Sequence, residues 1–361
     1  MIKPSLGYNA AMSTTTNPGL HLLGATREDL LAFMAKRGYK SAHAFSLFKA
    51  IHRGHLLDFT HLDSLPLTLR QHLASDFPCS PPKVLHTHTA TDGTQKYLIA
   101  LNDGSAIETV FIPEPSRGTL CVSSQVGCAL NCDFCATGKQ GFSRNLTAAE
   151  IIAQIWIATR EHTITNVVFM GMGEPLLNLE HVIPAISILL DDCAYNLSKY
   201  TVTVSTAGLI PQMQQLAQQT EVSLALSLHA PNDLLRTQLM PINKKYPLLE
   251  LMAVCKNYFK HPKRKILFEY ILIDGVNDTD ALAHELAQLL TDVPAKINLI
   301  PFNPIAHSGY QRSTDARIKV FQTILRDHGF KTFVRKTRGP LIDAACGQLK
   351  GDFIEKTKRR A

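Results

Sequence analysis

From residue 119 onward the chain alternates between two hydrophobic periods. Short, almost wholly apolar runs occur at TLCVSS (119–124), TNVVFMG (165–171), YTVTVST (200–206), EVSLALSLH (221–229), ILFEYILI (266–273) and KINLIPF (296–302). Between and after them, stretches such as AAEIIAQIWIATRE, LEHVIPAISILLD and ARIKVFQTILRDHG repeat their apolar residues every three to four positions. Runs of the first kind fit strands buried on both faces, and the second period fits helices that cover them. The pattern predicts an α/β unit with a parallel sheet, spanning residues 116–345. Six such repeats suit an open doubly wound sheet or a partial barrel equally well, and KTFVRKT from Lys331 offers a seventh strand.

Upstream the pattern changes twice. Residues 21–80 carry helical spacing in REDLLAFMAKRG, AHAFSLFKAIHRG and PLTLRQHLASDF, separated by Gly and Pro, which predicts a small helical accessory domain. Residues 81–115 read as short strands around Asp-Gly turns, in KVLHTHTATDGTQKYLIAL and AIETVFIP, and predict a β extension. Residues 1–20 are rich in Ser, Thr, Asn and Gly and are expected to be disordered.

Composition narrows the class. With 361 residues, 45% apolar and 19% charged, the chain can bury a full core. No run approaches the length of a membrane span and the opening lacks the pattern of a signal peptide, so the cytoplasm is the expected compartment. Eight cysteines are too sparse for a disulfide scaffold, and in a reducing compartment clustered ones act as ligands or catalysts. The net charge of +7 is uneven: nine Lys or Arg stand against three Asp or Glu from Lys331 to the end, and KHPKRK (260–265) is a second basic run. Such patches suit a polyanion such as RNA, although a solubilising surface has the same composition.

Half of the cysteines fall within fifteen residues, in CVSSQVGCALNCDFCATG. Cys128, Cys132 and Cys135 are spaced C-x3-C-x2-C and can converge on one metal centre, whereas Cys121 lies in an apolar strand. Zinc would need a fourth ligand, and the next histidine is His162. A four-iron cluster with three cysteines keeps one iron open, and unrelated thiols are the third reading. The polar motifs GMGEP, STAG, SLHAPND and PFNP each follow a strand. In either architecture that brings them to the C-terminal ends of the strands, where one pocket can be shared. Cys79, Cys193 and Cys255 have no motif around them and read as small buried hydrophobes.

The cysteine loop, the GEP motif one unit later and the serial βα pattern resemble the radical S-adenosylmethionine superfamily. The wider set of ETVFIP, TLCVSSQVGC, TNVVFMGMGEPLLN, SLHAPND, PINKKY, KINLIPFNP, VRKTRG and DAACGQL resembles the bacterial RlmN methyltransferase family, related to the Cfr enzymes that favour carbon 8. The resemblance implies a partial (β/α)6 barrel, and methylation of carbon 2 of adenosine 2503 in 23S rRNA and of adenosine 37 in tRNA. It implies one 4Fe–4S cluster on Cys128, Cys132 and Cys135, and two S-adenosylmethionine molecules per turnover, one donating the methyl and one the radical. Gly173, Glu174, Ser205, Ser227, Leu228, His229 and Asn303 then meet S-adenosylmethionine. Cys346 is the cysteine that becomes methylated, in the segment 346–361; Glu108 is the proton acceptor and Cys121 the resolving thiol.

Implied partners are both RNAs and a one-electron donor such as flavodoxin with its reductase, acting on a monomer. The accessory domain departs from the family wording, with His43 and Ala50 where an Arg and a Trp are usual. Two other classes compete: a zinc-stabilised RNA-binding protein without catalysis, and a radical enzyme for a small metabolite. The first predicts colourless protein; the second needs neither Cys346 nor basic surfaces.

Overall fold

A computed structural model describes residues 22–351, apart from 78–80, 262, 306–307, 337–338 and 340–341. The tail 1–20, Cys79 and the basic end beyond 351 lie outside the described residues. The chain enters through helices α1 (Arg27–Lys36), α2 (Ser41–His52) and α3 (Leu67–Asp76). Thr26 starts α1 with a reciprocal capping box to Asp29. Strands β1 (Val84–Thr89), β2 (Gln95–Ala100) and β3 (Ala106–Glu114) form an antiparallel meander. Its two turns end on Gly93 and Gly104, whose positive φ of 80° and 83° explains the Asp-Gly pairs.

β4 (Arg117–Cys121) pairs antiparallel with β3 and begins the parallel series. A two-stranded ribbon, β5 (Gln125–Gly127) and β6 (Phe142–Asn145), brackets the cysteine loop and the short helix α4 (Ala136–Gln140). The crossovers then run α5 (Ala148–Ala158), β7 (Asn166–Phe169), α6 (Leu179–Leu190), β8 (Val202–Thr206), α7 (Ile210–Gln219) and β9 (Ser223–Ser227). They continue through α8 (Asp233–Leu239), α9 (Leu248–Lys256), β10 (Ile266–Leu272), α10 (Asp280–Leu289), β11 (Ala295–Pro301), α11 (Asp315–Asp327) and β12 (Thr332–Val334).

The order of the strands separates the two architectures that repetition left open. A doubly wound sheet reverses its order at a switch point. Here the parallel strands lie in chain order, β4-β7-β8-β9-β10-β11-β12, with β3, β2 and β1 continuing beyond β4. Sequential winding is that of a barrel, and β12 and β4 do not pair among the described residues, so the barrel is partial. KTFVRKT supplies the seventh parallel strand, β12.

Helix α5 is buried along its length except at Glu150, because α6 covers it on one side and the segment Leu22–Gly24, at the entry to the accessory helices, packs on it as well. Trp156, the chain's one tryptophan, donates its indole N–H to the Ile51 carbonyl at 3.1 Å. Arg27 pairs with Asp191 and Asp192 at 3.0 and 2.9 Å across the same seam. Cys255 is buried as expected, and Cys193 is half-buried beside Arg27. His43 and Ala50 lie half-buried on α2. Among the described residues no helix is long and apolar enough to cross a membrane.

Candidate functional site

A cavity of about 150 Å3 opens at the C-terminal ends of the parallel strands, and Cys128, Cys132 and Cys135 line one side of it. Their thiols are buried, which raises all three pKa values, Cys128 to about 12. The loop aims donors at the sulfurs, the Leu130 amide at Cys128 and the Thr137 and Gly138 amides at Cys135, while the Thr137 hydroxyl donates to the Leu349 carbonyl. Among the described residues, the one trio of potential ligands with all donor atoms within 4.8 Å of one another is Asp191, Asp192 and Cys193, which Arg27 already engages. The loop sulfurs are therefore spread more widely than three thiolates on one tetrahedral zinc, about 3.8 Å apart from a 2.3 Å bond. Three sulfurs at this wider spacing, whose protons a bound metal centre would displace, fit a multi-iron cluster.

The facing wall comes from the C-terminal ends of β8 and β9, with Ser205 and Ser227, and from the loops after β7 and β9, with Gly173, Glu174 and His229. Gly173 has φ +97°, and a Cβ there would lie 2.4 Å from the Gln125 Cβ, so only glycine lets this loop close over β5. Glu174 is buried and accepts from the Leu176 and Ala207 amides, at 3.0 and 2.8 Å, one on each oxygen. Desolvation lifts it to about 7 despite those bonds. His229 adopts φ +61°, and its Nδ1 accepts from the Ile271 amide at 3.0 Å, which places the ring proton on Nε2. Burial lowers its pKa to about 3, and the Arg236 charge adds to this, so the ring is a neutral donor. Leu228 is buried behind this wall, its amide on the Glu269 carbonyl.

Cys346 lines the same cavity, and also a smaller one of about 20 Å3 with Asn303, Arg335 and Lys336. Asn303 is expected at S-adenosylmethionine; in this structure its side-chain amide donates to the Cys346 carbonyl at 3.2 Å. Cys121 is buried in β4, outside the lining of either cavity. Its pKa rises to about 12, chiefly through burial, with the Cys346 thiol near enough to add to the rise and Arg335 opposing it. Glu108 on β3 is buried too, paired with Lys96 at 2.8 Å and accepting from the Lys350 amide at 2.9 Å.

Three further residues shape the site: Arg335 lies within VRKTRG without an assigned role, and Glu269 and Arg236 carry no sequence motif. Glu269 on β10 and Arg335 after β12 line the cavity; Asn298 donates to both Glu269 oxygens, at 3.2 and 2.9 Å. Arg335 is electrostatically coupled to Cys346, Glu269 and Cys121, which holds its charge firmly. Arg236, wholly buried, donates to the Ala207, Ser227 and Leu228 carbonyls beneath the pocket wall. A charged residue within an apolar run, as in ILFEYILI, was the available signal for Glu269. KHPKRK precedes β10 and so lies at the opposite end of the strands from the cavity. There Arg264 stacks on Phe259 at 3.9 Å and donates to the Glu221 and Val222 carbonyls.

Comparison with known proteins bears on this arrangement directly. Residues 122–286 match the family model of the Radical SAM superfamily. The dual-specificity RNA methyltransferases RlmN of Francisella tularensis subsp. novicida (strain U112) and subsp. mediasiatica (strain FSC147) are each 52% identical to the chain over 353 residues. The matches span 94% of this chain and 95% of each relative. A radical SAM methyltransferase from Sphaerobacter thermophilus, of known crystal structure, superposes with a TM-score of 0.86 at 43% identity, covering 92% of this chain and 99% of its own.

Proposed function

The chain belongs to the RlmN family of dual-specificity RNA methyltransferases, and we propose that it methylates carbon 2 of adenosine in 23S rRNA and in tRNA, with Cys346 as intermediate methyl carrier. It is a radical SAM methyltransferase, and RNA is its substrate class. The observation that carries the residue assignment is the shared cavity: Cys346 faces the three loop cysteines and Glu174 across one space. Cys128, Cys132 and Cys135 would hold the 4Fe–4S cluster, and Gly173, Glu174, Ser205, Ser227 and His229 would meet S-adenosylmethionine. When bound, the cluster supplies the single electron that opens radical chemistry on S-adenosylmethionine.

The chain's own residues do the remaining work. Glu174 and the Nε2–H of His229 present an acceptor and a donor to the amino-acid end of S-adenosylmethionine. Cys346 sulfur takes the methyl group, forming an S–C bond as the sulfonium S–C bond breaks and losing the thiol proton. Glu108 accepts the proton leaving carbon 2 of the base. Cys121 then attacks the Cys346 sulfur: the disulfide forms as the bond from that sulfur to the product carbon breaks, and the carbon takes up a proton in place of the one that the Cys121 thiol loses, completing the methyl group. The proposal includes two S-adenosylmethionine molecules per turnover, an external reductant such as flavodoxin, a monomer and a cytoplasmic setting.

The test uses Cys121→Ala and Cys346→Ala in anaerobically reconstituted protein with 23S rRNA fragments and tRNA. Cys121→Ala should leave the base joined to Cys346, visible as an RNA–protein adduct on a denaturing gel. Adding Cys346→Ala should abolish both adduct and methylated adenosine. Normal turnover by Cys121→Ala without adduct removes the resolving role; methylation by Cys346→Ala removes the relay.

A further inference from the structure

Lys96 and Glu108 are a buried ion pair on neighbouring strands, with 9% and 8% of their side chains exposed. The β2–β3 register sets Leu98 opposite Glu108 and Lys96 opposite Val110, so the two charges meet on the diagonal of one sheet face. A buried ion pair adds little stability over an apolar pair of the same shape, so its presence calls for another reason. Both partners also reach the segment that carries Cys346. The Lys96 ammonium approaches the Asp343 carbonyl at 3.4 Å, and the second Glu108 oxygen accepts from the Lys350 amide at 2.9 Å. Asp343 and Lys350 flank Cys346 on its two sides.

We propose that Lys96 is a positioning residue: holding Glu108 and the Asp343 carbonyl together, it fastens both ends of the Cys346 segment, so one ion pair sets the acceptor thiol and the carboxylate in register. This rests on the roles given above to Cys346 and Glu108. The segment needs such a staple because it has little regular structure and turns through positive φ at Asp343 (48°) and Gly347 (84°). Its other ties are single hydrogen bonds, among them the Ala136 amide to the Gly347 carbonyl at 2.7 Å and the Gln348 side chain to the Pro304 carbonyl at 2.9 Å.

The test reads the segment itself in the full-length reconstituted protein without RNA. Iodoacetamide labelling of Cys346 and hydrogen exchange at residues 343–351 are followed by mass spectrometry for Lys96→Met, Lys96→Arg and the double variant Lys96→Met with Glu108→Leu. Losing a charge-assisted tie should speed both by about tenfold in Lys96→Met, while Lys96→Arg stays near wild type. The double variant leaves no lone buried charge and keeps the test valid if Lys96→Met does not fold. Wild-type labelling and exchange in the double variant overturn the proposal. Full methylation by Glu108→Gln would instead remove the base assignment and leave the staple standing.

Discussion

Arg236 is the largest wholly buried side chain of the described protein, and its replacement offers a quantitative test of how the pocket wall is held. Its guanidinium donates to the Leu228, Ala207 and Ser227 carbonyls at 3.2, 2.7 and 3.1 Å and to the Asn243 side-chain oxygen at 2.7 Å. Burial lowers its pKa only to about 10, so it is charged at neutral pH. Lysine keeps that charge but lacks the planar fork and leaves at least two of the four acceptors unpaired. At roughly 1.5–3 kcal/mol for each hydrogen bond to a charged group, Arg236→Lys should cost about 3–6 kcal/mol. Against a total of about 5–15 kcal/mol, the variant still folds in the cold but with a clearly lower urea midpoint. Urea unfolding of metal-free wild type and variant, with S-adenosylmethionine titration of the reconstituted proteins, gives both readouts. Because two of the three carbonyls belong to the segment bearing Ser227 and His229 and the third, Ala207, follows the strand bearing Ser205, affinity should fall about tenfold or more, the equivalent of one lost hydrogen bond. A loss below about 1 kcal/mol with unchanged affinity would refute the reasoning, since two buried acceptors cannot lose their donor so cheaply.

Gly173→Ala should weaken S-adenosylmethionine binding strongly, because φ +97° disfavours an L residue by about 1–2 kcal/mol before the 2.4 Å clash with Gln125 is counted; near-native affinity by calorimetry contradicts this. Glu174, raised to about 7, keeps its proton when folded over a window in which the unfolded chain, near 4.5, has released it, so its contribution to stability falls as pH rises from 4.5 to 7. An ammonium brought to this carboxyl favours the charged form, so S-adenosylmethionine binding should release a proton at about pH 6 and little at about pH 8. Calorimetry in buffers of different ionisation enthalpy checks this, and equal release at both pH values speaks against it. Replacing Lys263 and Lys265 by Gln should leave RNA affinity nearly unchanged, because the run sits at the strand ends opposite the cavity; a fall of the salt slope by about one per lysine would extend the footprint around the barrel.

The repeating units were readable because each apolar run had to fill a doubly covered sheet and each helix, α5 apart, had one covered face. Their winding was not, since hydrophobic period records burial and not neighbours; only the pairing of β4 with β7 and onward in chain order decides for a barrel. The β5–β6 ribbon escaped because three and four residues carry too little period. In the site, short motifs marked the loops that meet, and the cavity contains most of them. Arg236 in DLLRTQL looked like any solvated helix residue, and its burial depends on carbonyls from two other loops. Asn303 shows the limit of a motif: PFNP marks the loop, but the bond to the Cys346 carbonyl depends on a segment over forty residues away.

That distant segment explains why a partial barrel tolerates its open side here. Among the described residues β4 and β12 do not pair, and after β12 the chain supplies Cys346 and Gly347 to the cavity lining and Lys350 to the β extension. Along this path Gly339 meets Asp92, Asp343 meets Lys96, Cys346 meets Asn303, Gly347 and Leu349 meet α4, and Lys350 meets Glu108. The meander of β1 to β3 thus gives the closing segment a wall to bind. A thiol on a regular strand, like Cys121, is fixed in one place by its ladder. Cys346, on a segment tied by single hydrogen bonds, lines the cavity and lies near enough to Cys121 for the two thiols to interact, an arrangement that suits the proposed methyl carrier and its proposed resolving partner.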